Sequence, residues 1–297
     1  MKTGLLALVA AAAVGSVVAA AALAPSGAGP RTSYGKAAVG ATNEVSSNWS
    51  GYVATGLGST ASTASTSTVF KNATGTWRQP AATCAATGTA SASAIWVGLG
   101  GYSTTSTALE QAGTSADCSA SGKPSYYAWW ELVPEPSITI KNLKIFPGDL
   151  ITASVVVNGS EVLMQIKNRT RKSVFTKRVT LANPDLSSAE WIAEAPSECS
   201  SNGFCRQVPL ANFGSVTFTK VAALATIEGL GDQGGTIASP LWQSTPIDLV
   251  PRTRRFYGDI VERPDTTTGL SGATPYGLTA DGSSFGVNWL ANATASG

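Results

Sequence analysis

The chain has 297 residues, with 20 lysines and arginines against 18 aspartates and glutamates, and a formal net charge of +2. This near-balance excludes the strongly basic surface that a nucleic-acid-binding protein presents. The sequence contains no histidine, which excludes Ser-His and Cys-His nucleophilic catalysis and histidine-ligated zinc sites of the HExxH type.

Residues 1–24 have the pattern of a secretory signal peptide. Lys2 gives a positive start, an apolar run extends from Leu5 to Leu23, and Ala22-Leu23-Ala24 provides a small-x-small cleavage site. An uncleaved membrane anchor is the alternative, because the apolar run is long enough to span a bilayer. The alanine-rich composition and the cleavage site favour removal. We therefore expect a secreted, extracellular protein that has no membrane association after signal cleavage.

Residues 25–44 are rich in Ala, Gly, Ser and Pro, which predicts a flexible leader or short propeptide. From Val45 onward short β-rich runs alternate with turn residues, and we expect residues 45–297 to form one all-β domain, an antiparallel β-sandwich. Asn158-Gly159 between two of these runs is a strong hairpin signal. The candidate strands are 47–54, 68–78, 93–99, 107–113, 124–133, 138–140, 150–157, 161–168, 174–180, 187–193, 215–221, 245–250 and 284–290.

Four cysteines suit an exported chain, since disulfides form in oxidising compartments. Cys84, Cys118, Cys199 and Cys205 allow three pairings. The six-residue separation of Cys199 and Cys205 suits a stapled loop, which leaves Cys84–Cys118 as the second bond. We expect these thiols to bind no metal, and we expect the protein to need no cofactor.

Strand alternation sorts side chains by face, because successive residues of a strand point to opposite sides. In the strand at 93–99, Ile95, Val97 and Leu99 share an apolar face, and Trp96 lies on the other face. Polar or aromatic groups fall on a face opposite an apolar one in three further strands. With Trp96, these side chains could line a concave aromatic cleft: Gln111, Trp129, Glu131 and Glu190.

A cleft of this kind would partly desolvate its carboxylates and raise their pKa values, which suits acid–base chemistry. Because histidine is absent, a hydrolase with this sequence would have to use carboxylates, amides, Tyr or Lys. The alternative is that these side chains are ordinary outward residues of a β-sandwich.

Six segments, in chain order, resemble the characteristic segments of the glutamic peptidases, or eqolisins. Each segment is a weak signal alone, but the ordered set is specific. The segments are Ser47-Asn48-Trp49-Ser50-Gly51, Ile95-Trp96-Val97-Gly98-Leu99, Leu109-Glu110-Gln111-Ala112-Gly113, Tyr127-Ala128-Trp129-Trp130-Glu131 with Pro134, Ala189-Glu190-Trp191-Ile192-Ala193-Glu194 and Asn212-Phe213-Gly214-Ser215-Val216-Thr217-Phe218.

This resemblance implies a secreted endopeptidase acting on polypeptides at acidic pH, and we expect a monomer. It also implies two antiparallel sheets packed as a concanavalin-like, or lectin-like, sandwich with the site on a concave face. Glu190 would be the general base toward water, and Gln111 would orient that water and stabilise the oxyanion. Trp96 and Glu131 match cleft residues of the family. We expect them to bind substrate together with Trp129 and Trp49.

Two positions depart from the family pattern. Members that act as acid proteases carry acidic residues where this chain has Gly100 and Ser115. Fewer carboxyls around Glu190 predict less upward pressure on its pKa. From this we expect a pH optimum less extremely acidic than in those members.

Two other functions remain open on the sequence. A glycoside hydrolase could use Glu131 and Glu190 as its carboxylate pair, since aromatic clefts also suit sugars. A non-catalytic carbohydrate-binding module would need neither carboxylate for chemistry.

Overall fold

The computed structural model describes residues 31–33, 45–59, 62, 65, 67–200, 205–251 and 271–291. These residues form strands, with no helix among them and therefore no helical membrane span within that part of the chain. The strands are β1 (Arg31–Ser33), β2 (Val45–Ser46), β3 (Trp49–Thr55), β4 (Thr68–Arg78), β5 (Ala94–Gly100), β6 (Leu109–Cys118), β7 (Pro124–Val133), β8 (Ile138–Lys144), β9 (Leu150–Asn158), β10 (Glu161–Asn168), β11 (Ser173–Thr180), β12 (Ser188–Glu194), β13 (Ser197–Cys199), β14 (Cys205–Gln207), β15 (Ser215–Ile227), β16 (Gly231–Gly235), β17 (Gln243–Leu249), β18 (Gly272–Tyr276) and β19 (Ser284–Leu290).

Every candidate strand of the sequence overlaps an observed strand, and the ranges 68–78, 124–133, 161–168 and 284–290 agree at both ends. The strands that were not predicted are β1, β2, β13, β14, β16 and β18. They are short or rich in Gly and Pro. β16, for example, has the sequence GDQGG, which carries almost no strand signal. It forms by pairing with β15.

Backbone pairing follows one continuous order, β11-β10-β9-β4-β15-β19-β18-β17-β3-β12-β5-β6-β7-β8, with β16 and β2 attached to its side. The chain folds over so that β12, β5 and β6 pack against β4, β9 and β10, and the two ends of the order, β8 and β11, come into contact. We call β17, β3, β12, β5, β6, β7 and β8 the front layer, and β11, β10, β9, β4, β15, β19 and β18 the rear layer.

The predicted all-β, antiparallel fold is confirmed, with β2–β17 as a parallel exception. The further prediction of two separate, lectin-like sheets is not confirmed. The pairing of Leu249 in β17 with Ala273 in β18 joins the two layers into one sheet.

The main core fills the space between the layers. The predicted apolar face, Ile95, Val97 and Leu99, points into this core and is fully buried. Two tryptophans in the core also find hydrogen-bond acceptors, as buried indoles require. Trp77 Nε1 donates to Thr114 Oγ1 at 3.0 Å, and Trp191 Nε1 donates to the Thr74 carbonyl at 2.8 Å.

Two local predictions are confirmed. The Asn158-Gly159 turn joins β9 to β10, with Asn158 paired to Glu161 and Gly159 at a φ of +60°. The disulfides are Cys84–Cys118 and Cys199–Cys205.

The predicted signal peptide, residues 1–24, lies outside the described residues, as does most of the leader at 25–44. Three residues of the leader form β1, which pairs antiparallel with β13. The Ser137 hydroxyl donates to the Thr32 carbonyl at 2.8 Å. At these three residues the chain is a strand. The proposed domain boundaries stay predictions.

Candidate active site

A row of four residues crosses the front layer on its outer face, away from the main core. Glu190 in β12 pairs with Gly98 in β5, Gly98 pairs with Gln111 in β6, and Gln111 pairs with Glu131 in β7. Because directly paired residues point to the same side of a sheet, Glu190, Gln111 and Glu131 share one face. The face assignments made from alternation are thus confirmed, and the register adds which residues are neighbours.

Gly98 separates Glu190 from Gln111, which lie two strand spacings apart, or about 10 Å between backbones. A Cβ at Gly98 would lie 2.8 Å from Trp96 Cζ3 and 3.2 Å from Leu109 Cδ1. The indole of Trp96 therefore leans over the glycine between the two polar groups. A larger residue at this position would displace the ring or fill the gap.

Glu131 fixes the orientation of the Gln111 side chain. Gln111 Nε2 donates a hydrogen bond of 2.9 Å to Glu131 Oε2. Both side chains are fully buried, so the carboxyl holds the amide in one arrangement.

The tryptophans predicted to bind substrate form one cluster with Ile192 and Val53 on this face. Trp49 meets Trp96 edge to face, with ring centroids 5.0 Å apart. Trp129 lies next to Trp96 across Gly113. The structure therefore brings together all of the predicted site residues.

Glu194 belongs to the same face and was not predicted. Its Oε2 accepts a 2.8 Å hydrogen bond from Trp96 Nε1, and its Oε1 accepts one of 3.3 Å from Asn48 Nδ2. Its pKa is raised well above the ordinary value because it is buried, and the Glu131 carboxylate adds to the rise, while these donors oppose it. Its position four residues after Glu190 places both carboxyls on one strand face, a signal that alternation could have supplied.

Glu190 is buried in the same way. Neither of its carboxylate oxygens reaches hydrogen-bond geometry with a described residue. Burial raises its pKa well above the ordinary value, the nearby Ser188 hydroxyl offsets part of the rise, and the Asp185 and Glu110 carboxylates add to it. The loss of solvent expected from the sequence is thus the largest cause of the raised pKa. The expectation that the missing acidic side chains at Gly100 and Ser115 leave less upward pressure than in other family members stays a prediction.

The predicted concave cleft is covered more completely than the partial desolvation expected from the sequence. Trp49, Trp96, Gln111, Glu131 and Glu190 are all 0% exposed. A cavity of about 160 Å³ lies at the far end of the same face, where Asp117 and Glu198 are among its lining residues. Asp117 is six residues along β6 from Gln111, or about 20 Å away. This cavity therefore does not reach the Glu190–Gln111 row.

No cluster of three or more His, Cys, Asp or Glu side chains in the described ranges could hold a metal ion. The groups that the row and its neighbouring cluster present are carboxyl, amide and indole groups.

Comparison with protein families decides what kind of protein carries this row. The model of the Peptidase A4 family matches residues 47–249, which include β3 to β17. The chain belongs to the Peptidase A4 family. The predicted resemblance to the glutamic peptidases, or eqolisins, is thereby confirmed, and the protein is a peptidase, an enzyme of the hydrolase class.

Two relatives of this Peptidase A4 member come from fungi. Aspergillopepsin-2 of Aspergillus niger is 31% identical over 217 residues, which cover 67% of this chain and 72% of the relative. Scytalidopepsin B of Scytalidium lignicola is 32% identical over 181 residues, which cover 59% of this chain and 62% of the relative.

Solved structures agree with this peptidase in fold. Scytalido-glutamic peptidase with a transition-state-analogue inhibitor superposes with a TM-score of 0.54 at 23% identity, covering 82% of this chain and 98% of that one. The same enzyme with a peptide-based transition-state analogue gives a TM-score of 0.53 at 24% identity and the same coverage.

Proposed function

We propose that this member of the Peptidase A4 family is a secreted endopeptidase in which Glu190 and Gln111 activate water against a peptide bond. The observation that carries the proposal is the row Glu190–Gly98–Gln111–Glu131. It sets a carboxyl and an amide on either side of a residue without a side chain. The Trp96 indole covers this glycine, so a water molecule and the carbonyl of a peptide bond could lie there once the ring shifts.

Glu190 is the general base. Its carboxylate takes a proton from water as the water oxygen bonds to the carbonyl carbon, which gives a tetrahedral intermediate. The same proton then passes to the leaving nitrogen as the C–N bond breaks, and the carboxylate is restored. A carboxyl whose pKa is raised by burial is a stronger base than an ordinary glutamate, which favours the first transfer.

Gln111 is the electrostatic partner. Its amide orients the water and donates to the oxyanion, and it cannot compete for the proton that Glu190 carries. The hydrogen bond from Gln111 to Glu131 supports a role for Glu131 in holding this amide before substrate arrives. We propose that Trp49, Trp96 and Trp129 contact the polypeptide beside the scissile bond.

The pH dependence follows from the general base. Glu190 has to be ionised for the first step, so activity rises with pH through its raised pKa. We therefore expect an optimum in mildly acidic solution instead of near pH 2. The sequence led to a similar expectation from the missing acidic residues at Gly100 and Ser115, and burial of the Glu190 carboxyl is a second reason for it.

The glycosidase alternative fits less well. Glu131 and Glu190 are three strand spacings apart, about 14 Å between backbones. Gln111 lies between them and donates a hydrogen bond to Glu131. Carboxyl pairs of glycosidases are about 5–10 Å apart. Membership of a peptidase family also favours a polypeptide substrate over a carbohydrate.

Export is part of the proposal. Both pairs of cysteines form disulfides, and disulfides persist mainly in oxidising compartments outside the cytosol.

The test is hydrolysis of a denatured protein between pH 3 and pH 8. Because the row is buried, the full chain is assayed before and after acid preincubation, beside a chain that begins at Val45. We expect Glu190→Gln and Gln111→Ala each to reduce kcat by at least about a hundredfold.

The matched controls lie on the outer side of the rear layer or in its turns. Glu228 is exposed and Gln165 hydrogen-bonds to Thr176 in the neighbouring strand, so Glu228→Gln and Gln165→Ala should keep wild-type rates. Full activity in either Glu190→Gln or Gln111→Ala would remove the pair from the mechanism. Absence of turnover in both wild-type forms would remove the proposed function.

A further inference from the structure

Asp185 lies in the segment 181–187, which leads into β12, and it joins this segment to the connection between β5 and β6. Its Oδ2 accepts a 3.1 Å hydrogen bond from the backbone N–H of Gly101 and a second one from the Ser106 hydroxyl. Its Oδ1 accepts a 3.0 Å hydrogen bond from the backbone N–H of Ser187. One carboxylate thus ties together the two chain segments that lead into the strands of Glu190 and Gln111.

The same residue also reaches the neighbour of Gln111 in the chain. The backbone N–H of Asp185 donates to Glu110 Oε1 at 3.3 Å. Glu110 is fully buried, and its Oε2 has no hydrogen-bond partner among the described residues. Burial raises the pKa of Glu110 to about 8; the Asp185 N–H opposes the rise, and the Asp185 carboxylate adds to it. In acidic solution Glu110 is therefore neutral.

The position of Asp185 depends on a glycine. A Cβ at Gly100 would lie 2.5 Å from Asp185 Cβ, 2.5 Å from its carbonyl oxygen and 2.8 Å from its carboxyl carbon. Gly100 also has a φ of +80°, which side chains seldom adopt. The space that a side chain at position 100 would fill is thus occupied by an aspartate from another loop.

We propose that Asp185 is a positioning residue of the Glu190–Gln111 site, which holds the segment entering β12 against the β5–β6 connection. This inference rests on the proposed function and deepens it. It assigns the acidic neighbour of Glu190 to a loop residue that no strand pattern identifies.

The charged groups around Glu190 fix the sign of the effect. The carboxylates of Asp185, from the segment before β12, and of Glu110, on the opposite face of β6, both raise its pKa. The flanking strand positions are Gly98 in β5 and Val53 in β3. On the same face, Glu194 follows on β12 and Glu131 lies beyond Gln111. The ion pairs of the described residues all lie elsewhere. Removal of the Asp185 charge therefore eases ionisation of Glu190.

The experiment is the pH dependence of kcat/KM for wild type, Asp185→Asn and Ser106→Ala. Asp185→Asn keeps the shape of the side chain and removes its charge. We expect its acidic limb to move down by about one pH unit, together with a fall in kcat of about tenfold. Ser106→Ala keeps the charge and removes one tether, so kcat should fall several-fold while the limb stays within about 0.3 pH units of wild type.

Asp281→Asn is the matched control. Asp281 accepts hydrogen bonds from Thr279 and Ser283 within its own exposed turn, and its substitution should leave both limb and rate unchanged. A wild-type limb in Asp185→Asn, with Glu190→Gln inactive, overturns this inference alone. Activity in Glu190→Gln overturns the proposed function as well. Should Asp185→Asn fail to fold, a wild-type kcat in Ser106→Ala overturns the inference.

Discussion

The two layers use strand alternation differently. In the rear layer, β9 and β10 alternate between buried and partly exposed residues, so one face meets the core and the other meets water. In the front layer, β5 and β12 are buried at every position. The second face of the front layer nonetheless carries Glu190 and Glu194.

This difference indicates what each layer contributes. The ion pairs of the described residues, Lys71–Asp232, Arg171–Asp149 and Arg178–Glu161, lie in or beside the rear layer. The buried carboxyls of the front layer have no such cation, and burial without one raises their pKa values. The front layer therefore keeps polar groups that weaken the fold, as a functional site does.

The core shared by the layers should carry the largest stability effect. Trp191→Ala removes a fully buried indole from between the layers and leaves the Thr74 carbonyl without its donor. We expect a loss of about 3–5 kcal/mol in the free energy of unfolding, measured by urea denaturation at pH 4. Thr176→Ala in β11 should change it by less than about 0.5 kcal/mol. A loss below about 1 kcal/mol in Trp191→Ala would contradict the interlayer packing.

The front layer should make the fold weaker as pH rises. Folded-state pKa values are about 8 for Glu110, mainly through burial, and about 7 for Asp117, also mainly through burial. Stability from a carboxyl with a raised pKa is fully present below its unfolded pKa and is lost as pH rises through the folded one. We expect the free energy of unfolding to fall by a few kcal/mol between about pH 4 and pH 8.

Glu110→Gln tests this expectation, because it removes one of the titrating groups. The variant should show a flatter pH profile of the free energy of unfolding and a higher melting temperature at pH 8 than wild type.

In the rear layer, the pKa of Asp149 is shifted in the opposite direction. Burial favours its protonated form, but hydrogen bonds from Asn168, Arg171 and Phe146 outweigh it and lower its pKa. Asp149→Asn should therefore cost stability at pH 7 and less as pH falls through that pKa. For Glu110→Gln, a pH dependence of the free energy of unfolding equal to that of wild type would contradict the raised pKa of Glu110.

Much of the fold could be predicted because most of its β-strands have a recognisable local sequence pattern. Alternation and β-branched residues located β4, β7 and β10 to within a residue. Alternation also placed Glu190 and Gln111 on the correct faces. Strands such as β16 could not be found, since they form by pairing with a neighbour that the local sequence does not encode.

The rest of the site depends on contacts between distant segments. The register that puts Gly98 between Glu190 and Gln111 follows from strand order, which one sequence does not reveal. The contact of Asp185 with Gly101 joins residues 84 apart in the chain. The sequence predicted partial desolvation of the carboxyls but not their complete burial, because a period-2 pattern identifies a face but not what covers it.

Gly100 offers a sharper test of crowding in the front layer. Gly100→Ala would place a Cβ 2.5 Å from two atoms of Asp185 at a φ of +80°. Gly58 is the matched control, since its φ is +79° and nothing lies within 4 Å of a Cβ there. We expect Gly58→Ala to cost about 1 kcal/mol from the backbone alone, and Gly100→Ala to cost about 2–3 kcal/mol. Equal melting temperatures for the two variants would mean that Asp185 does not fill the space beside Gly100.

The smallest expected effect is the loss of one indole hydrogen bond in each layer, and the two losses should differ in their pH dependence. Trp96→Phe removes the indole N–H that donates to Glu194. Trp242, whose ring packs against Phe70 of the rear layer, donates its indole N–H to the Thr236 carbonyl, and Trp242→Phe removes that donor. Each should cost about 1 kcal/mol at pH 4. The Trp96→Phe cost should grow toward pH 8, because the ionised form of Glu194 depends more on its donors than the neutral form does. The Trp242→Phe cost should stay constant, because a carbonyl does not titrate. Urea denaturation at both pH values measures the two costs, and a parallel pH dependence would show that Glu194 does not respond to Trp96.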